Sequence, residues 1–366
     1  MRLGTIGENL IERIIIRTNM AATPLMETQI AYSMARSIMA GVKLGIYDAM
    51  GEGATTPAEV AAACKTDREA TTKLMNALVG CRYLRHHDGR YELTPKARKW
   101  MLRDSPNSLA DKLLFQYDEW DWVARYEDYI ATGQPLDVHG SLPDQYAWDR
   151  YQRGMRALGS ISAEEVARRL PVPAGVTTML DIGGSHGYYS VCVCRRHRGL
   201  RATILDLPEA VEHAAPILAR EGMGERVRHR AGDALSDDLG NDAWNVIFLS
   251  QLVHHFTDGQ NRGLMRRIAK ALKPDGVCVL LDMLRPSSPE GAGELGAVLD
   301  LYFAASSRSG TRSLETMQAW QRDAGLAVEN PIYLRTLPGA AIVVGRKPLA
   351  RGTRAHYRRR AGTGDR

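Results

Sequence analysis

Cysteine is scarce in this 366-residue chain, and its cysteines do not form pairs. Cys64, Cys81, Cys192, Cys194 and Cys278 make no CxxC motif and have no His/Cys cluster at zinc-ligand spacing. An odd, scattered count excludes a disulfide framework and argues against a metal or redox centre. The expectation is reduced, buried thiols in a cytoplasmic protein. Long apolar runs are lacking too, and no stretch approaches the ~20 residues of a membrane span. The opening stretch, MRLGTIGENLIERIIIRTNM, has only a three-isoleucine core interrupted by acids, so it does not read as a signal peptide. Leu10, Ile14 and the neighbouring isoleucines suit a short amphipathic helix instead. Internal repeats are not apparent.

Basic charge is scarcer than the net +6 suggests. From Arg346 to the end lie eight Lys/Arg and one Asp, a charge of +7, which leaves residues 1–345 at −1. The basicity belongs to a Gly- and Arg-rich tail without apolar periodicity, and residues 349–366 are expected to be disordered. A nucleic-acid partner is therefore not expected, and neither is a membrane. Hydrophobic residues at 44% and charged residues at 25% are ordinary for a globular chain with a real core.

Residues 1–107 read as helices plus one hairpin. TTPAEVAAAC begins a helix with Thr56 as cap, Pro57 in the first turn and Glu59 three residues on. DREATTKLMNALVG is a second amphipathic helix, and RHHDGRYELT alternates around the hairpin signal Asp88-Gly89. This is a winged-helix arrangement. Its second helix has two bases against two acids and an apolar face, which suits packing or dimerisation better than DNA reading. Residues 108–170 read as a helical linker rich in aromatics, broken by Gly and Pro near ATGQPLDVHGSLPDQ, that contributes to a substrate pocket. From 171 to 348 short apolar strands alternate with helices, which predicts an α/β domain with a doubly wound, Rossmann-like parallel sheet.

Ligands of such sheets bind at the carboxyl ends of the strands. The first strand ends in LDIGGSHG, where Asp181 precedes Gly183, Gly184 and Gly187, and glycines permit a tight turn and close backbone approach. Asp206 closes the second strand about 20 residues on, where a carboxylate can take both ribose hydroxyls. Asp233 and Ala234 follow the third strand. Neither acid has a base placed to accept phosphate, so the pattern points to S-adenosylmethionine rather than a dinucleotide.

LDIGGSHG, LDLPEAV, GDAL, VHHFTD and LKPDG occur in an order and spacing that resembles the class I S-adenosylmethionine-dependent methyltransferases. More narrowly, the chain resembles the small-molecule O-methyltransferases typified by plant caffeic-acid enzymes and bacterial antibiotic-tailoring enzymes. The resemblance spans about residues 20 to 348. It implies a homodimer through the N-terminal domain and a small hydroxylated substrate. It also implies that the glycines line the methionine portion, Asp206 binds ribose, Leu207 packs on adenine, and Asp233 and Ala234 edge it. Tyr151 and Met155 match positions that close over cofactor and substrate. Ser185 stands where many members have glycine, and Ser250 where plant members have a lysine near the cofactor carboxylate.

Methyl transfer from a sulfonium needs proximity and a base for the acceptor hydroxyl. Histidine suits that task because it titrates near working pH. The family pattern His-x-aromatic-x-Asp is met by His254, Phe256 and Asp258, which implies that His254 is the base. Adjacent residues of a helical turn point about 100° apart, so His255 is read as a neighbour. Asp282 occupies the family position of the acid that orients the base. Plant members add a glutamate where this chain has Thr311, and Glu315 is the remaining acid of that segment. The leading expectation is O-methylation of a phenolic or enolic hydroxyl on a secondary metabolite such as an aromatic polyketide. The departures at Ser250 and Thr311 keep open a hydroxylation or pericyclic reaction on the same scaffold, and a winged-helix DNA regulator is the third class.

Overall fold

In a computed structural model of the chain, the described residues are 4–349 except 52, 137, 139, 141, 143, 144 and 308. The tail from 350 onward lies outside them, so the expectation of disorder there is not addressed. The chain divides into two compact units. The first comprises Met1–Asp121, Arg153–Leu158 and Gly293–Leu295, and the second comprises Trp122–Gln152, Gly159–Ala292 and Gly296–Arg366.

The first unit is mainly helical. Thr56 caps the Pro57–Cys64 helix with a complete capping box: the Glu59 amide donates to Thr56 Oγ1 at 3.3 Å, and the Thr56 amide donates to Glu59 Oε2 at 2.7 Å. Asp67 caps the Arg68–Gly80 helix. The hairpin strands β1 (Leu84–His87) and β2 (Arg90–Leu93) turn through Asp88 and Gly89, both at positive φ, as a two-residue type I′ turn requires. Val42, Ile46, Tyr47, Met75, Leu78, Leu84 and Tyr91 form the core of this unit. The Leu10–Arg17 helix is amphipathic as expected, yet none of its residues is buried.

The second unit is built on β3 (Thr178–Ile182), β4 (Arg201–Asp206), β5 (Val227–Ala231), β6 (Trp244–Ser250), β7 (Leu272–Met283), β8 (Ala327–Val328), β9 (Ile332–Tyr333) and β10 (Ala340–Arg346). Their order is β5-β4-β3-β6-β7-β10-β8, with β9 also on β10. The first five strands of that order run parallel. The expected all-parallel sheet needs one correction: β10 pairs antiparallel with β7, and β8 and β9 pair antiparallel with β10. β8 and β9 are joined to β10 by 11 and 6 residues, fewer than the dozen or so that a parallel crossover needs. Antiparallel edge strands on parallel sheets are common.

Both faces of the sheet are covered, which is why its strands read as continuous apolar runs. Val246, Phe248, Val277, Val279 and Leu281 face one apolar layer with Val191 and Val193. Ile247, Leu249, Cys278 and Leu280 face the other with Leu264, Ile268 and Trp320. All five cysteines are free thiols. Burial pushes those of Cys192 and Cys278 up to about 12 and that of Cys194 to about 11. No helix among the described residues is long and apolar enough to cross a membrane.

Glu165 ties the Ala163–Arg169 helix to the chain before β10. Its carboxylate is 4% exposed and accepts from the Thr336 hydroxyl at 2.6 Å, the Arg335 and Thr336 amides at 2.8–3.0 Å and Arg169 at 2.9 Å. Burial alone raises its pKa, but these donors outweigh burial and bring it to about 2. A depressed carboxyl stabilises the fold above its ordinary value near 4.5, and that contribution fades as pH falls toward 2. Glu165→Gln is therefore expected to cost about 2–3 kcal/mol at pH 7. Thermal melts should show the gap to the parent closing below pH 4; a pH-independent gap would contradict this.

Candidate active site

The strand order reverses between β3 and β6, since β3 has β4 on one side and β6 on the other. A crevice opens outside the carboxyl ends at such a point. Two short segments emerge there: the 183–187 loop after β3 and the turn Val253–His255 after β6.

The loop has little room for side chains. A Cβ on Gly183 would lie 2.7 Å from Leu252, one on Gly184 2.5 Å from Asp181, and one on Gly187 2.5 Å from Ile204. Gly183 and Gly187 also have positive φ. Asp181 is buried beneath them and accepts from Ser190 Oγ at 2.6 Å. Burial raises its carboxyl to about 7, with the nearby Asp206 adding to the shift.

Ser185 sits at φ +48°, a left-handed position that costs a non-glycine residue about 1 kcal/mol. Three bonds hold it there. Its amide donates to Asp206 Oδ2 at 2.8 Å, its carbonyl meets His229 Nε2 at 2.8 Å, and its hydroxyl donates to Gln152 Oε1. Gln152 has no exposed surface and lies on the Gln145–Ser160 helix. Neither Gln152 nor His229 was legible as a site residue, because only the folded chain brings them to residue 185.

Asp206 ends β4 with its other oxygen accepting the Leu207 amide at 2.8 Å. Burial raises its pKa and the two amides lower it, with burial the larger effect. Leu207 is exposed beside it. Asp233, after β5, accepts the Leu235 amide at 2.8 Å, and the Ala234 carbonyl accepts from Arg267 at 2.6 Å. Ser250 ends β6 near the Tyr189 hydroxyl, which is itself 2.7 Å from Ser162 Oγ. Tyr151 is half-buried, edge-on to Trp148 at 5.9 Å. Trp148 stacks on His213, whose Nδ1 lies 2.9 Å from Asp149. Met155 falls in the first unit.

The donor set fits a nucleoside cofactor. Asp206 ends β4 and Asp233 follows the neighbouring β5, and both carry acceptor oxygens of the kind that suits ribose hydroxyls and an adenine amine, beside a loop whose glycines let the backbone approach.

The two histidines are not equivalent. His254 is 3% exposed, and its Nδ1 lies 2.8 and 3.1 Å from the Asp282 oxygens. Asp282 is buried near the end of β7 and also accepts the Met283 amide at 2.8 Å. Asn261 fastens the histidine turn from below by donating to the Val253 and Phe256 carbonyls at 2.9 and 3.1 Å. The Asp282 carboxylate accepts a hydrogen bond from His254 Nδ1–H, which leaves Nε2 as the acceptor. His255 is half-buried, its ring 4.3 Å from that of His254, and Phe303 packs on His254 at 4.9 Å.

Asp258, the acid that completes the histidine pattern, begins the Asp258–Ala271 helix. There it bonds Arg262 and the Trp320 indole at 2.7 and 2.8 Å, which orders the segment without touching the imidazole. Glu315 does not replace the glutamate absent at 311. It is exposed in the first turn of the Leu314–Asp323 helix, and hydrogen bonds at that helix start hold its carboxyl below the usual range.

Residues 126–327 match the O-methyltransferase domain family, and residues 26–103 match the O-methyltransferase dimerisation domain. An N,N-dimethyltransferase of Streptomyces rimosus is 25% identical over 89% of this chain and 97% of its own length. The mitomycin biosynthesis 6-O-methyltransferase of Streptomyces lavendulae is 27% identical over 84% of this chain and 88% of its own. The crystal structure of human N-acetylserotonin methyltransferase in complex with S-adenosylmethionine shares the fold. Its TM-score is 0.79 at 18% identity, covering 94% of this chain and 99% of that one.

Proposed function

This chain belongs to the O-methyltransferase family, and on that premise we propose that it methylates a phenolic or enolic hydroxyl of a secondary metabolite, an aromatic polyketide or a compound like it, with His254 as general base. It is an S-adenosylmethionine-dependent methyltransferase, and the bound cofactor supplies the electrophilic methyl group. The single observation that carries the base assignment is the buried His254–Asp282 pair at the carboxyl edge of the sheet.

The residues divide the work. Asp206, with Leu207 beside it, holds the ribose end. Asp233 and Ala234 edge the base. Gly183, Gly184 and Gly187, over Asp181, line the amino-acid end, with Ser250 and Tyr151 nearby. His254 Nε2 takes the acceptor proton, and Asp282 fixes the tautomer and steadies the imidazolium. Residues 1–107 are read as the dimerisation domain, 108–170 as the helical linker and 171–348 as the catalytic domain. A second copy of the chain is the proposed partner of the N-terminal region, where Leu10, Ile11, Ile14 and Ile30 are all more than half exposed.

A second reading, an amine acceptor, draws on the N,N-dimethyltransferase that aligns along most of the chain. A base serves an ammonium acceptor as well as a phenol.

The test is incubation with methyl-labelled S-adenosylmethionine and panels of hydroxylated aromatics and aromatic amines. Label on oxygen is expected, and label on nitrogen only would favour the second reading. Unlabelled hydroxylated or rearranged product would overturn both.

A further inference from the structure

We propose that Gln152 is a positioning residue for the cofactor site. By accepting the Ser185 hydroxyl it holds Ser185 in its left-handed conformation, and through the Ser185 amide it aims the Asp206 carboxylate at the ribose. The inference rests on Asp206 binding the ribose.

The contacts form one connected chain. Ser185 Oγ donates to Gln152 Oε1, and the Ser185 amide donates to Asp206 Oδ2 at 2.8 Å. The chain runs from the Gln145–Ser160 helix to the end of β4. The Leu207 amide holds the other Asp206 oxygen, also at 2.8 Å. With both oxygens pinned the carboxylate is fixed in rotation, and each oxygen keeps a second lone pair for a ribose hydroxyl. The place of the Ser185 amide depends on φ +48°, which a serine adopts only against a steric penalty. His229 Nε2, 2.8 Å from the Ser185 carbonyl, is the second restraint. Burial pushes that imidazole below its ordinary value, so at neutral pH it is uncharged and can donate from Nε2.

Gln152 is itself held in place. Asp149, three residues earlier and on the same helix face, lies 2.9 Å from His213 Nδ1, and Trp148 stacks on the His213 ring. His213 belongs to the Pro208–Arg220 helix, which starts two residues after Asp206. The helix that carries Gln152 is therefore fastened both to the 183–187 loop and to the helix that follows Asp206.

Packing does not account for the amide. Gln152 has no exposed surface, and its Nε2 has no acceptor among the described residues. A buried donor left without an acceptor costs stability, so an apolar side chain of the same length would suit the fold better. The glutamine is kept for the Ser185 bond rather than for the fold.

The experiment is calorimetric titration of S-adenosylhomocysteine into the full-length enzyme, with the melting temperature of each unliganded protein. The series is the parent, Gln152→Met, Gln152→Asn, Ser185→Gly, Ser185→Gly with Gln152→Met, and Asp206→Ala. Gln152→Met is expected to weaken binding about tenfold, the worth of one hydrogen bond, while its melting temperature stays level or rises. Gln152→Asn, one methylene too short for the bond, should lose affinity to the same extent. Glycine enters the left-handed region without the penalty, so in the Ser185→Gly background Gln152→Met should change affinity by less than about threefold. A packing role predicts the opposite pattern, a lowered melting temperature in Gln152→Met and no rescue by glycine. That pattern, or parental affinity in both Gln152 variants, would overturn the proposal. Unchanged affinity in Asp206→Ala would instead remove the ribose assignment itself, whatever Gln152 does.

Discussion

His254→Ala is expected to lower kcat by about 10²–10⁴-fold, the usual contribution of a positioned general base, while leaving affinity for S-adenosylhomocysteine unchanged. The asymmetry follows from the site. The imidazole is fixed by Asp282 on one nitrogen and packed by Phe303, so its free nitrogen is an acceptor held in one place. The groups assigned to the cofactor, Asp206 and the 183–187 loop, hang from other strands. His255→Ala leaves the Asp282 bond in place and removes only a packing neighbour at 4.3 Å, so a loss below about tenfold is expected. Rapid-quench turnover and calorimetric titration of each variant check both statements. Equal losses in the two variants would return the histidines to equivalence.

The largest effect on binding is expected at Asp206. Asp206→Ala should weaken S-adenosylhomocysteine binding by about 100-fold or more. The carboxylate does two jobs: it is assigned to the ribose hydroxyls, and it accepts the Ser185 and Leu207 amides at 2.8 Å. Hydrogen bonds to a charged group contribute about 1.5–3 kcal/mol each, and every 1.4 kcal/mol is about tenfold in affinity. Losing the Ser185 bond also loosens a residue held at φ +48°. Asp206→Asn keeps one acceptor oxygen and should fall between the two. Calorimetry measures the series, and unchanged affinity in Asp206→Ala would remove the residue from the cofactor site.

Much of this was legible before any coordinates. The glycines of the first loop and Asp206 at the end of the second strand are local signals, because each depends on where a strand stops, whereas the roles of His254 and Asp282 are implied by the family resemblance. The capping box at Thr56 and the Asp88-Gly89 turn are local as well. What escaped was long-range. Gln152 and His229 reach Ser185 across 33 and 44 residues, and nothing in their own surroundings marks them. Ser185 reads as a harmless small residue, whereas its left-handed backbone makes it a strained position that needs those partners. The antiparallel pairing of β10 with β7 was hidden for a similar reason, since strand composition does not encode strand direction.

The role of His254 is tested most directly by a graded series of phenolic and enolic acceptors, from weakly acidic phenols to enols already ionised at neutral pH. Each is assayed for transfer of the labelled methyl group by the parent enzyme and by His254→Ala. If His254 removes the acceptor proton, the ratio of the two rates should be about 10²–10⁴ for the least acidic acceptor and should fall steadily toward one as the acceptor ionises by itself. A ratio that stays constant across the series would contradict a base at His254.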